Sequence, residues 1–287
     1  MTAAPAVARP AVEVGIRGAA AIRAAFLAAG EDRRAAFIPY AVAGYPDGST
    51  AEAIALALID AGADLLEIGL PYSDPLADGL TLQRASTLAL AQGATLMRSL
   101  DLVGRVHASR PRVPLVAMGY VNQVLGGSDG TGVLRHLADA GASGLILADL
   151  TPDEGADVEA TAAHLGLSLI YLVTPTTPPD RRKMIAERCS GFLYAVSLAG
   201  VTGARRSLPP GVGRFLTEVR AVSPAPVAVG FGVATPEHGR RLAPLADGVI
   251  VASALVDGLG PDGRDVERMS ELARSLRASL QRSPGAT

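Results

Sequence analysis

The order of apolar and amphipathic segments predicts a single (β/α)8 barrel, the TIM-barrel fold class, with one extra helix at its N-terminal side. Eight short apolar runs, typical of buried parallel strands, alternate with helical segments along the 287 residues. This length suits one such barrel, which takes roughly 250 residues. A doubly wound open sheet is the alternative, but the turn at residues 44–46 lacks the glycine-rich fingerprint of dinucleotide-binding sheets.

The predicted elements follow one another as strand and then helix. Residues 15–30 carry apolar side chains at helical spacing and form the extra helix. Ser49 and Thr50 are the expected cap of the helix after the first strand, and Gly62 is its expected end. The strands are predicted at residues 36–42, 65–69, 113–118, 144–148, 167–173, 191–196, 226–229 and 248–252. Further helices are predicted from the end of the acidic loop to about residue 107 and over residues 130–140, 152–165, 178–187 and 264–280.

We expect one domain, residues 15–282, between a loose N-terminal arm, residues 1–14, and a loose C-terminal tail, residues 283–287. The arm is rich in Ala and Pro and shows no signal-peptide pattern. No run of charge-free apolar residues is long enough to predict a membrane span. The single cysteine, Cys189, excludes an internal disulfide and suits a cytoplasmic location.

The charge balance argues against several classes of partner. A formal net charge of −2 gives no electrostatic reason to expect nucleic acid or an anionic membrane. The sequence has no cluster of cysteine and histidine, so no metal site is expected.

Two carboxylates are the candidate catalytic groups. Glu67 interrupts the apolar second strand near the end that opens into a loop, and Asp78 follows in that loop. A carboxyl group without water around it has a raised pKa and can exchange a proton near neutral pH. Two carboxyl groups in unlike environments can divide acid and base work. The alternative is structural, with Glu67 a satisfied core acid and Asp78 the cap of a turn.

Three loops near the C-terminal end are candidates for binding phosphate. They follow the last three strands and contain Gly203, Gly232 and the pair Ala252 and Ser253. Glycines let backbone N–H groups approach an anion, and barrels often bind phosphate in these loops. Glycines after strands also serve simply as turns, which leaves that alternative open.

Aromatic and apolar residues near strand ends are candidates for the walls of a substrate pocket. Their alternative is ordinary core packing. The candidates are Tyr40, Leu82, Met118, Tyr120, Tyr194 and Phe231.

Five motifs together resemble a known family. They are FIPYAVAGYPD, LLEIGLPYSDPLADG, GVTGAR, VGFGVATPE and ADGVIVASALV, in this order from residue 37 to residue 256. In order and spacing the chain closely resembles the α subunits of tryptophan synthase. The resemblance implies a carbon–carbon lyase that cleaves indole-3-glycerol phosphate to indole and glyceraldehyde 3-phosphate by a retro-aldol reaction.

The resemblance also implies roles for individual residues. Glu67 matches the acid and base glutamate of the family, and Asp78 matches the aspartate that holds the indole N–H. Tyr194 matches the tyrosine of the sixth strand, and Tyr40 and Phe231 match residues of the indole pocket. The phosphate-loop positions are matched by Gly203, Gly232, Ala252 and Ser253.

The resemblance also implies a partner protein and a mobile loop. Asp74, Pro75 and Asn122 match the surface that contacts a β subunit, which carries pyridoxal phosphate and receives indole in an α2β2 complex. The α chain itself would need no cofactor and no metal. Thr202 matches the catalytically coupled threonine of a mobile loop over residues 198–206.

Several positions depart from the usual family pattern, and they leave other functions open. Two alternatives are a free-standing lyase that releases indole for another pathway and a non-catalytic, phosphate-binding activator of the β subunit. The departures lie in or near the partner-facing surface and the mobile or phosphate loops, at Leu80, Gln123, Thr151, Leu198 and Ala252.

Overall fold

The predicted barrel is confirmed by the structure, a computed structural model that describes residues 17–127, 130–196, 208, 210–230 and 232–282. Parallel strands form one sheet in the spatial order β5-β4-β3-β2-β1-β9-β8-β7-β6. The strands are β1 (Ala36–Val42), β2 (Leu66–Gly69), β3 (Leu115–Gly119), β4 (Gly144–Leu147), β5 (Ser168–Ile170), β6 (Leu172–Val173), β7 (Leu193–Val196), β8 (Val227–Gly230) and β9 (Gly248–Val251).

Helices surround the sheet and alternate with its strands. They are α1 (Gly18–Glu31), α2 (Gly48–Asp60), α3 (Leu80–Ala91), α4 (Leu96–Ser109), α5 (Val121–Leu125), α6 (Gly130–Asp139), α7 (Ala156–His164), α8 (Pro179–Arg188), α9 (Val212–Val222), α10 (Pro236–Leu242), α11 (Ser253–Gly258) and α12 (Val266–Ala278). In the part of the chain that the structure describes, no helix combines the length and the apolar character that crossing a membrane requires.

The predicted fifth strand is divided in two at Tyr171. Its first half, β5, pairs with β4, and its second half, β6, pairs with β7. Between them the Tyr171 N–H donates to Cys189 Sγ at 3.3 Å, while the Tyr171 carbonyl accepts from Tyr194 N–H at 3.0 Å. Strands in a barrel are staggered against their neighbours, so one strand can end its pairing on one side before it begins on the other. The chain itself therefore joins the two edges of the sheet.

The extra helix α1 packs against the lower end of the barrel interior, which is the end where the strands begin. Ile22 and Phe26 on α1 belong to the same buried cluster as Leu65, Phe192 and other residues that point into the barrel. The Phe26 and Phe192 rings lie 5.7 Å apart. A Cβ at Gly248 would lie only 2.8 Å from the Phe26 ring, so this glycine makes room for the helix. The lower end is thus filled by side chains, and open space remains at the other end.

Local details differ from the sequence predictions at three places. The cap of α2 is Asp47, which accepts the Ser49 and Thr50 N–H groups at 3.1 and 2.9 Å; the prediction of Ser49 and Thr50 as the cap was wrong. The helical sequence through residue 107 forms two helices, α3 and α4, because the chain turns at Gly93. The predicted helix 152–165 begins as a separate 3-10 turn, Pro152–Glu154, before α7.

Candidate active site

A cleft of about 580 Å³ opens at the C-terminal ends of the strands. In a parallel barrel these ends meet at one face, where loops can bring side chains from several strands together. The predicted residues that line the cleft are Tyr40, Glu67, Asp78, Leu82, Met118, Tyr194, Gly232, Ala252 and Ser253. The fold therefore gathers most of the predicted site in one cavity.

Glu67 is buried at the base of this cleft. It lies on β2, in register with Tyr40 on β1 and Val116 on β3, and is 1% exposed. Its Oε2 has no hydrogen-bond partner among the residues that the structure describes. Burial, and then the nearby charge of Asp78, raise the pKa of the Glu67 carboxyl group to about 8. Glu67 is therefore not a satisfied core acid, and it can carry a proton at neutral pH.

Asp78 reaches the cleft from the loop between β2 and α3. Its N–H donates to the Pro75 carbonyl at 3.1 Å, and its carbonyl accepts from Gln83 Nε2 at 2.9 Å. Burial raises the pKa of the Asp78 carboxyl group to about 6, and a hydrogen bond from Tyr120 acts in the opposite direction. At pH 7 the Asp78 carboxylate is thus mostly ionised while Glu67 is mostly protonated. Such a difference allows one group to donate a proton while the other stabilises positive charge.

Two buried tyrosines, Tyr40 and Tyr194, stand beside the carboxyl groups. They are 4% and 8% exposed, and burial followed by the charges of Asp78 and Glu67 raises the pKa of both hydroxyls well above 10. Both hydroxyls therefore stay protonated across the physiological range. A glycine makes room for each ring, since a Cβ at Gly69 would lie 1.7 Å from Tyr40 Oη and one at Gly230 would lie 2.7 Å from Tyr194 Oη. These glycines, at the ends of β2 and β8, are a sequence signal for the two buried rings.

Replacing Gly69 by Ala is expected to displace the Tyr40 ring and to destabilise the fold by about 1–3 kcal/mol, because the added methyl group has no space. The matched control is Gly30→Ala near the end of α1, where a Cβ would meet nothing within 4 Å. That control should change the free energy of unfolding by less than about 1 kcal/mol. Urea unfolding of both variants measures the difference, and equal stabilities would show that Tyr40 does not need the space at residue 69.

The loops after β8 and β9 bring the predicted phosphate positions that the structure describes to the same cleft. Gly232, with a φ of 65°, and Ala252, Ser253 and Ala254 line it together. Alanine at residue 252 still supplies a backbone N–H, so the departure from glycine removes no donor. Thr202, Gly203 and Phe231 lie outside the described residues, and their predicted roles stay predictions.

The predicted partner-facing residues lie outside the cleft. Asp74 is exposed, Pro75 is partly exposed, and exposed Asn122 donates from Nδ2 to Tyr72 Oη at 3.1 Å. Tyr120 is buried and does not line the cleft, but its hydroxyl accepts the Ala77 N–H at 3.1 Å beside Asp78.

The sequence reasoning missed other lining residues, which occupy inward-facing positions at strand ends. The alternation of inward and outward side chains along each strand could have identified them. They are Ala148, Leu172, Val196 and Ile250. In the described ranges no group of three or more His, Cys, Asp or Glu residues is arranged to hold a metal ion.

Comparison with known proteins decides the family. The sequence profile of the family described as tryptophan synthase alpha chain matches residues 26–282. The chain belongs to this family. A tryptophan synthase alpha chain from Roseiflexus sp. (strain RS-1) is 47% identical over 247 residues, which cover 85% of this chain and 94% of the relative. One from Deinococcus radiodurans is 44% identical over 264 residues, which cover 91% and 96%.

Solved structures agree with the sequence relatives. A chain of Mycobacterium tuberculosis tryptophan synthase superposes with a TM-score of 0.84 at 38% identity, covering 91% of this chain and 98% of that chain. The tryptophan synthase alpha chain of Legionella pneumophila superposes with a TM-score of 0.82 at 30% identity, covering 92% and 98%. The alpha chain family consists of lyases of the aldolase type, and its members work with a beta subunit.

Proposed function

We propose that Glu67 and Asp78 carry the reaction of the alpha chain family in this cleft, the retro-aldol cleavage of indole-3-glycerol phosphate to indole and glyceraldehyde 3-phosphate. The observation that supports it most is the difference between the two carboxyl groups, whose pKa values are raised to about 8 and about 6. The reaction needs one group that gives a proton and another that remains negative, and this pair has both properties.

The chemistry can be written in two proton transfers. Protonated Glu67 gives its proton to the indole ring carbon that bears the glycerol chain, and the ring becomes a positively charged indolenine. The Asp78 carboxylate accepts a hydrogen bond from the indole N–H and stabilises this charge. Glu67, now ionised, takes the proton of the neighbouring glycerol hydroxyl. The carbon–carbon bond then breaks, its electron pair returns to the ring as indole forms, and the hydroxyl carbon becomes the aldehyde.

The rest of the cleft supports the same substrate. Tyr40, Leu82, Met118 and Tyr194 supply apolar or aromatic surface near the carboxyl groups. The phosphate would lie against Gly232, Ala252 and Ser253, which line the cleft, together with Gly203 as the resemblance implies. There the first backbone N–H groups of α11 have no partner within the helix and are available to an anion.

The partner proposal follows from the family. We place the chain in a cytoplasmic α2β2 complex in which Asp74, Pro75 and Asn122 face the β subunit. Pyridoxal phosphate belongs to that subunit. The cleavage written above uses proton transfers alone, so the α chain needs no cofactor of its own.

The experiment that tests this function is the rate of indole release from indole-3-glycerol phosphate by the isolated chain, with and without added β subunit. A slow rate that rises steeply when the β subunit is added is the expected result. A fast rate that does not respond to the β subunit would instead identify a free-standing lyase. No indole under either condition would contradict the proposed activity.

A further inference from the structure

The loop that carries Asp78 is attached to the segment after β3 at several points. Tyr120 Oη accepts the Ala77 N–H at 3.1 Å, next to Asp78 itself. The Tyr72 and Tyr120 rings stack, with centroids 5.2 Å apart and planes 26° apart. Asp78 thus depends for its place on residues that follow a different strand.

Gln123 on α5 makes the attachment at the other end of the loop. Its Nε2 donates to the Pro71 carbonyl at 2.7 Å and lies 3.4 Å from the Leu70 carbonyl. These two carbonyls belong to the first residues after β2 ends at Gly69. Gln123 therefore binds the loop at the point where it leaves the strand.

The surroundings of Gln123 show that its amide interacts through the donor and not through the oxygen. Gln123 Oε1 is buried and has no hydrogen-bond partner among the described residues. A Cβ at Gly119 would lie 2.8 Å from this oxygen and 3.3 Å from Leu70 Cδ1, so the side chain fits only because residue 119 is glycine. An unpaired buried oxygen is unfavourable, and an apolar side chain of the same size would avoid it. The hydrogen bond to Pro71 is the interaction that compensates.

We propose that Gln123 is a positioning residue for the cleavage reaction, acting on Asp78 through the Pro71 carbonyl and the loop. Gln123 does not line the cleft, so it does not touch the substrate. The inference rests on the function proposed above, because it presumes that Asp78 stabilises the charged intermediate. It assigns to this chain a second anchor of the catalytic loop, in addition to Tyr120.

The test is Gln123→Met, which keeps the length of the side chain and removes its donor. We expect kcat for cleavage of indole-3-glycerol phosphate to fall about tenfold, less than the roughly hundredfold loss that an ångström of misplacement can cause. KM should change little, since the phosphate end of the cleft does not contact Gln123. The control is Gln92→Met, at an exposed residue between α3 and α4, which should behave as the wild type.

The pH profile separates positioning from a merely structural role. A loosened loop admits water to Asp78, so the acid limb of the profile should move to lower pH in Gln123→Met. The titratable groups that face Asp78 are Tyr40 on β1, Glu67 on β2, Tyr120 after β3 and Tyr194 on β7. An unshifted limb together with an unchanged kcat would overturn the inference.

Hydrogen exchange on the wild-type chain tests the anchor without any variant. The Ala77 and Asp78 N–H groups are hydrogen-bonded, so their amides should exchange much more slowly than those of a free loop, and Gln123→Met should accelerate them selectively. Exchange at the rate of a free loop in the wild type would overturn the inference, even if the variant failed to fold. A wild type that releases no indole would instead refute the proposed function, and slow exchange would still establish the anchor.

Discussion

Replacement of Glu67 by Gln is expected to lower kcat for indole release by about 10³-fold, within the range that proton transfer by a positioned group contributes. The amide keeps the size of the side chain but can neither give a proton to the ring carbon nor take one from the glycerol hydroxyl. Steady-state assay of indole formation measures the loss. The exposed Glu271 on α12 offers the control, and Glu271→Gln should leave kcat unchanged. An active Glu67→Gln variant would mean that the chain uses another acid, or that its role is only structural.

The same substitution should change how stability depends on pH. Burial raises the pKa of Glu67 from an ordinary 4.5 to about 8 in the folded chain. Between these values the folded state holds a proton that the unfolded state has released, so the wild type loses stability as pH rises, by at most about 1.4 kcal/mol per unit from this group. Gln cannot titrate, so Glu67→Gln should gain stability relative to the wild type up to about pH 8 and no further. The free energy of unfolding of both proteins is measured in urea across this pH range. An equal dependence on pH in the two proteins would show that Glu67 is not desolvated.

Replacement of Asp78 by Asn is expected to lower kcat by roughly 10²–10³-fold, the cost of removing one preorganised group that stabilises charge in the intermediate. In the wild type, kcat/KM should rise as pH passes about 6, where Asp78 ionises, and fall as pH passes about 8, where Glu67 loses its proton. Because the two groups interact, the two apparent pKa values of this profile describe the pair of carboxyl groups together.

The Asp78→Asn variant should lose the acid limb. Its alkaline limb should move to lower pH, because the charge of Asp78 is one cause of the raised pKa of Glu67. Rate measurements over the full pH range check both shifts. The exposed Asp139 at the end of α6 provides the control, since Asp139→Asn should keep the wild-type profile. An alkaline limb that stays in place would contradict the coupling between the two carboxyl groups.

The strands were predictable because each is a short apolar run that is buried on both faces. The first strand was predicted at residues 36–42 and forms over those residues, and the others agree to within two residues at nearly all their ends. The predictions differ from the structure at one helix cap and at one short helix. Asp47 displaces Ser49 and Thr50 as the cap, and the five-residue α5 was not predicted as a helix, since so short a segment has little periodicity.

Residue type and order along the chain were enough to name Glu67 and Asp78 as candidates, because an acid within an apolar strand is unusual. They left a structural role for both residues open, and it was the resemblance to the α subunits that favoured the catalytic role. Their different pKa values were not predictable to this extent. They depend on how completely the cleft removes water from each group, and that is a property of the closed barrel.

The sequence by itself determined the barrel and the order of its strands, and it named the two carboxyl groups as candidates, since these depend on patterns within short segments. Only the tertiary structure decided which residues support them. Gly69 beneath Tyr40, Tyr120 bonded to the loop of Asp78, and Gln123 bonded to Pro71 are contacts between different strands and their loops. Such contacts follow from the register of neighbouring strands and from the paths of loops, which no local pattern of residues specifies.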